Sequence, residues 1–181
     1  MVKKILIGTV GYHNLRNHSI GPALLPQLNK LQWQEGVDLD EMNWGPIAIV
    51  QKFQSLPTPY DRIILLVAVE RPNRSIGEIT VYRWTGGLPD EEMIQACVGD
   101  AVTGVISVEN LLVIGEHFKI WGNEVFLVDV EPGPEQAGEE FTDEVKEIIP
   151  DVINTIQELC IASDTELLKF VELRGDTLFL N

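Results

Sequence analysis

Histidine and carboxylate side chains at four positions of this sequence could together bind a metal ion. His13 and His18 lie five residues apart, Glu70 follows a strongly apolar run, and Asp100 precedes a helix-like segment. Imidazole nitrogens and carboxylate oxygens together suit zinc or nickel. The histidines lack the i, i+4 spacing of a helical metal pair, and histidines in loops usually contact solvent. An atypical zinc or nickel site is therefore one alternative, with His18, Glu70 and Asp100 as its candidate ligands.

Other site chemistries have less support from the motifs. The run Gly8-Thr-Val-Gly11 follows a strand-like segment, but GxGxxG and GxxxxGK(S/T), the patterns of phosphate-binding loops, are both absent. Ser19 stands next to His18 without the GxSxG pattern of a hydrolase nucleophile. Cys97 lies in no recognisable nucleophile motif. The motifs therefore identify no catalytic residue.

Composition and charge exclude several classes of partner. The 181 residues are 45% hydrophobic and carry a net charge of −15, which fits one acidic globular domain. Nucleic acid and anionic membranes would repel such a surface, whereas a basic protein partner remains compatible. The longest apolar run, 63–69, is too short to span a bilayer. No signal peptide is predicted, so we expect a cytoplasmic protein. The two cysteines form no CxxC pair and are predicted to be buried free thiols.

Strand-like and helix-like segments alternate along the chain. Pro150 should kink or split the last long helix, and the acidic run 90–92 is expected to be a solvated loop. The tail, 163–181, is predicted to form a short helix and an extended end at 177–180. Strands are predicted over 4–9, 36–40, 62–70, 78–84 and 124–130, and helices from 21 and from 46, over 106–118 and over 142–162.

This alternation predicts an α/β fold, a three-layer α/β/α sandwich with a mostly parallel sheet of about five strands, one of them antiparallel. The continuous apolar strand 62–70 should be central and covered on both faces. Ligands of such sheets bind outside the carboxyl ends of the strands. Trp44 falls at that edge, where it either caps the core or, if exposed, forms a binding hot spot for a protein partner.

Several short strings, taken in order, resemble the hydrogenase maturation proteases, the endopeptidases that trim the C-terminus of a nickel-containing hydrogenase large subunit. The strings lie at 5–8, 20–24, 60–69, 77–83, 131–132 and 141–145. The resemblance covers about residues 4–160. It implies a single domain of this kind over 1–181, with 163–181 as a C-terminal extension.

The resemblance also implies that the family's nickel ligands are missing from this chain. The family binds nickel through an acid in the first loop, an aspartate on the central strand and a histidine that opens a later helix. Those positions correspond here to His18, Val67 and Gly104. A valine side chain has no atom that can bind a metal. By the same resemblance, the substrate cleft also includes Asn17, Asp40 and Trp44.

Three functions follow as hypotheses. We favour a non-enzymatic relative of these proteases, a protein-binding or assembly factor for a metalloenzyme subunit or a related complex, without a cofactor. The first alternative is an active endopeptidase that cleaves the C-terminus of a metalloenzyme large subunit, with an atypical metal site built from His18 and Glu70 or Asp100. The second alternative is an unrelated α/β protein with a small-molecule pocket.

Overall fold

One six-stranded sheet forms in the part of the chain that the computed structural model describes, residues 2–163 and 168–179. The strands follow the order β2-β1-β3-β5-β4-β6 across the sheet. β1, β2, β3 and β5 are mutually parallel, β4 is antiparallel to β5, and β6 is parallel to β4. The predicted mostly parallel sheet is confirmed, with six strands instead of about five. The strands are β1 (Ile5–Thr9), β2 (Val37–Glu41), β3 (Arg62–Ala68), β4 (Ile79–Trp84), β5 (Glu124–Val130) and β6 (Val171–Leu173).

Five α-helices cover the two faces of the sheet in the described residues. Along β3, Ile63 and Leu65 belong to a core cluster shared with α2, α3 and α4, and Ile64 belongs to a second cluster shared with α1 and α5. Burial of alternate side chains on both sides confirms the three-layer sandwich and the central position of β3. The helices are α1 (Ile20–Leu28), α2 (Pro46–Gln54), α3 (Glu91–Thr103), α4 (Val108–His117) and α5 (Asp143–Ile161), and a 3-10 turn at Arg16–Ser19 precedes α1.

Helix α3 begins where the acidic run 90–92 was expected to form a loop, and that expectation is wrong. The Asp90 carboxylate accepts a backbone hydrogen bond in the first turn, and the following acids lie where the helix dipole favours negative charge. The helix is capped at its C-terminal end by Gly104. Its φ of 83° is in the left-handed region, which glycine adopts without steric strain because it has no Cβ. The buried residues of the helix are the small Cys97 and Ala101, so the apolar periodicity that indicates a helix is weak.

The C-terminal part of the chain also differs from expectation. α5 continues through Pro150, so the proline does not split it. The tail contains β6 and a turn over 175–179 in place of the predicted helix and extended end. Residues 164–167 and 180–181, where parts of those predictions fall, lie outside the described residues.

Arg62, at the start of β3, joins the sheet to the end of α5. The residue is fully buried. Its guanidinium donates hydrogen bonds to the carbonyl oxygens of Leu159 and Ala162, and its Nε donates to Glu124 Oε2 at 2.8 Å. The last carbonyls of a helix have no intrahelical partners, so this arginine satisfies groups that burial would otherwise penalise.

Across the described ranges, no single helix is long and apolar enough to cross a membrane. α3 and α4 meet that length and composition only as a pair, and the pair is bent by 111°.

Candidate functional site

A cleft of about 310 Å³ lies outside the carboxyl ends of β1 and β3, against the start of α4. Its floor is apolar and includes Val67, Val69 and Val108. Two walls meet where the Tyr12 hydroxyl accepts a hydrogen bond from the Ile106 N–H at 2.8 Å. This is the edge at which sheets of this class bind ligands. The polar lining consists of Tyr12, His18, Glu70, Ser107, Glu109 and Glu135.

His18 and Glu70, two of the predicted metal ligands, meet in this cleft. The 3-10 turn before α1 carries His18, and Glu70 follows the end of β3. His18 Nε2 lies 3.4 Å from Glu70 Oε1. His18 is largely buried, and its Nδ1 has no hydrogen-bond partner among the described residues, whereas Glu70 is half exposed. The cleft thus brings together one imidazole and one carboxylate.

Asp100 and His13 do not join this pair. The Asp100 carboxylate accepts a hydrogen bond from Asn110 Nδ2 at 3.2 Å and lines a neighbouring cavity, which Glu70 also borders. His13 is exposed, and its Nε2 lies 2.7 Å from Glu41 Oε1. Among residues 2–163 and 168–179, no three His, Cys, Asp or Glu side chains are arranged to hold a metal ion.

The positions that the resemblance assigns to the nickel ligands do not fit nickel. Val67 is 1% exposed and belongs to the apolar floor. Gly104 ends α3 and is not among the residues that line the cleft. His18 is thus the one metal-binding side chain among the three positions, and a single imidazole cannot form the multi-ligand shell that nickel requires.

Asn17 holds the start of α5 and does not line the cleft. Its Nδ2 donates to the Pro132 carbonyl oxygen at 2.9 Å and to Thr142 Oγ1 at 3.1 Å. Its Oδ1 accepts a hydrogen bond from the Thr142 N–H at 2.9 Å. Since Thr142 is the N-cap residue of α5, this buried amide connects the loop after β1 to the start of that helix.

Asp40 and Trp44 lie beyond the cleft, near the β2 edge of the sheet. The Asp40 carboxylate binds Lys52 Nζ at 2.6 Å. Trp44 is 55% exposed, with the Lys52 ammonium 5.4 Å from its ring centre. Its indole borders a small apolar pocket next to the cleft, which Ile106 also lines. Of the two interpretations considered for Trp44, the structure supports the exposed one.

A buried ionic network centred on Asp129 lies beside the cleft and was not predicted from the sequence. Asp129 is fully buried, and its carboxylate accepts hydrogen bonds from Arg71 Nε at 2.7 Å, Arg74 Nη2 at 3.2 Å and the Val69 N–H at 3.1 Å. Burial raises the pKa of the Asp129 carboxyl, and the two guanidiniums oppose that increase.

Glu131 completes the same network. Its carboxylate accepts hydrogen bonds from the Arg71 N–H at 2.9 Å, from Arg74 Nε at 3.1 Å and from the Gly133 N–H at 3.2 Å. The network fixes the loop that follows β3, which carries Glu70. The sequence does contain a signal for this network. Asp129 and Glu131 lie at the end of one predicted strand, and Arg71 and Arg74 follow another. Because parallel strands end at the same edge of a sheet, these acids and arginines could have been expected to meet.

Solved hydrogenase maturation proteases share this fold. The hydrogenase maturating endopeptidase HybD from E. coli superposes with a TM-score of 0.61 at 17% identity, over 84% of this chain and 89% of the other. A hydrogenase 2 maturation peptidase from a Thaumarchaeota archaeon gives a TM-score of 0.57 at 18% identity, over 87% and 97%. A NiFe-hydrogenase maturation protease from Thermococcus kodakarensis gives 0.54 at 19%, over 88% and 94%.

Sequence comparison adds nothing to this structural likeness, because no protein-family model and no curated protein matches the sequence. The resemblance predicted from the ordered strings is therefore confirmed for the fold.

Proposed function

We propose that this protein is a protein-binding assembly factor built on the fold of the hydrogenase maturation proteases, without their nickel-dependent endopeptidase activity. One observation carries the proposal. Where the resemblance places three nickel ligands, the chain has one histidine, the buried Val67 in the cleft floor and Gly104 outside the cleft. The solved proteins with this fold are named for maturing hydrogenases, so a subunit of a metalloenzyme or of a related complex is the proposed partner.

The lining of the cleft supports a peptide as the bound group. Valine side chains form the floor, and the carboxylates of Glu70 and Glu135 stand around it, whereas the Glu109 carboxylate pairs with Arg71. A segment with an apolar side chain for the floor and a basic side chain for these carboxylates would fit both features. The whole chain, 1–181, is proposed to act as one domain, since β6 from the extension 163–181 pairs with β4.

Metal titration tests this proposal. Isothermal titration of the full chain with Ni²⁺ and with Zn²⁺ is expected to show no stoichiometric binding at micromolar protein concentration. The His18→Gln variant serves as the control, because any heat that it leaves unchanged does not come from the cleft. Tight 1:1 binding that His18→Gln abolishes would overturn the proposal.

The 3.4 Å approach of His18 and Glu70 favours a second candidate, an active endopeptidase with an atypical site. In this case the substrate is the nickel-loaded precursor of a large subunit, which carries the metal itself. Incubation with such a precursor should then give a product shortened at its C-terminus, and both His18→Gln and Glu70→Gln should prevent cleavage. An unshortened precursor after incubation with the native chain counts against this candidate.

A further inference from the structure

An apolar surface lies outside the cleft, on the outer side of α3 and the start of α2. We call it the α3 face and define it by Trp44, Ile47, Val98, Val102 and Val105. All five side chains are exposed, Val102 at 76% and Trp44 at 55%. Large exposed apolar side chains are ordinary when they are scattered, but a contiguous group marks a binding surface.

The members of the α3 face come from two segments of the chain that lie close together. Val98 and Val102 lie one turn apart on the solvent side of α3, and each is about 100° around the helix from the buried residue before it, Cys97 or Ala101. The chain that carries Trp44 reaches the same helix end, because a Cβ placed on Gly45 would lie 3.7 Å from the Ala101 carbonyl oxygen. The pocket beside Trp44 is also lined by Ile106, the neighbour of Val105.

The charged residues of α3 are all acidic, and one of them, Asp100, turns away from the valines and bonds to Asn110 of α4. α3 carries Glu91, Glu92 and Asp100 and has no basic residue in its sequence. Lys52 lies near the Trp44 ring, but its ammonium already binds the Asp40 carboxylate. With a net charge of −15 over the chain, an approaching surface meets apolar groups within a negative field.

We infer that the α3 face docks a segment of the partner protein that is apolar on one side and flanked by lysine or arginine. A second copy of this chain is disfavoured, since it would place the acids of one α3 against those of the other. An anionic membrane is disfavoured for the same reason. The inference rests on the proposed function for its partner, and it names the chemistry that this partner presents outside the cleft.

Two synthetic helical peptides test the inference on the full chain. One carries leucines on one side and lysines on the other, and the second has glutamates in place of the lysines. The lysine peptide is expected to bind 1:1, and the glutamate peptide is expected not to bind. Val102→Lys should weaken binding of the lysine peptide about tenfold or more, because it removes an apolar contact and adds repulsion.

Ile161→Lys is the matched control. Ile161 is 71% exposed at the end of α5 and lies outside the α3 face, so this variant changes the net charge equally and should bind as the native chain does. Equal weakening by both variants, equal affinity for both peptides, or no binding of the lysine peptide overturns the inference. A native dimer that Val102→Lys dissociates, or binding to uncharged lipid vesicles, also overturns it.

The peptide titration uses no metal, so its outcome is distinct from that of the proposed function. Tight nickel binding in the cleft would reject the assembly-factor proposal while peptide binding at the α3 face persists. Loss of peptide binding alone rejects only the docking surface. Circular dichroism of Val102→Lys checks that the variant folds, as expected for a change at so exposed a site.

Discussion

Val67 on β3 and Asp129 on β5 lie directly opposite each other in the parallel register of the sheet. Residues in register on neighbouring strands point to the same face, so a carboxylate stands next to the valine of the cleft floor. That carboxylate is fully buried and bonded to two guanidiniums from the loop after β3. The buried acid beside the floor of the cleft is therefore paired with two arginines.

Asp129→Asn should destabilise the protein strongly. The change removes the buried carboxylate that Arg71 and Arg74 share and leaves Glu109 and Glu131 as their remaining acidic partners, at a cost of about 3 kcal/mol. Asp176→Asn is the matched control, because its pair with Arg174 is exposed to solvent and should contribute little to stability. Urea unfolding of both variants measures the difference, and equal losses would contradict the buried network.

Asn17→Ala should weaken the start of α5. The variant loses three hydrogen bonds and leaves the Thr142 N–H without its acceptor, which should lower the free energy of unfolding by about 2 kcal/mol. Asn154→Ala removes an exposed bond to Glu158 within α5 and should cost less than about 0.5 kcal/mol. Hydrogen exchange at residues 143–147 should accelerate in the first variant alone, whereas unchanged exchange there argues against this role for Asn17.

Arg62→Gln should cost more than Lys3→Gln, although both side chains bind Glu124. Arg62 is fully buried and also satisfies carbonyls at the end of α5, so its removal should lower the free energy of unfolding by about 3 kcal/mol. Lys3 is partly exposed, and its loss should cost about 0.5 kcal/mol. Thermal unfolding distinguishes the two, and similar midpoints would show that the bonds to α5 add nothing.

Cys160 should make stability depend on pH in the alkaline range. Burial raises the pKa of its thiol from 9.0 to about 11. The folded chain keeps this proton longer than the unfolded chain, so the contribution is complete below pH 9 and is lost as the pH rises to 11. The loss should approach about 2 kcal/mol at pH 11. In Cys160→Ala the free energy of unfolding should fall less over this range, and an equally steep fall contradicts the assignment.

The sheet was predicted well from the sequence because its central strands consist mainly of apolar residues. β3 is a continuous apolar run, and burial on both faces needs that pattern. α3 was missed because its inner side is made of small residues, Cys97 and Ala101, and its outer side carries valines. The α3 face was not predicted for the same reason. A helix with exposed valines and small buried residues lacks the pattern of one apolar side and one polar side that indicates an amphipathic helix.

The cleft was only partly predictable, for a different physical reason. The meeting of His18 with Glu70 follows from the parallel strands, whose carboxyl ends share one edge of the sheet. Asn17 was expected in the cleft as well, but a 3-10 turn directs neighbouring side chains to different sides. The backbone angles within Arg16–Ser19 determine which of two adjacent residues faces the cleft. Those angles cannot be predicted from the residue types alone.

The two edges of the sheet avoid pairing with strands of other molecules in different ways. β2 ends one side and carries Asp38, Asp40 and Glu41, so charge discourages a foreign strand there. On the other side the backbone of β4 is covered by β6, a three-residue strand from the chain's own tail. A chain that ended after α5 would expose β4 as an open template for aggregation, so the tail protects the solubility of the fold.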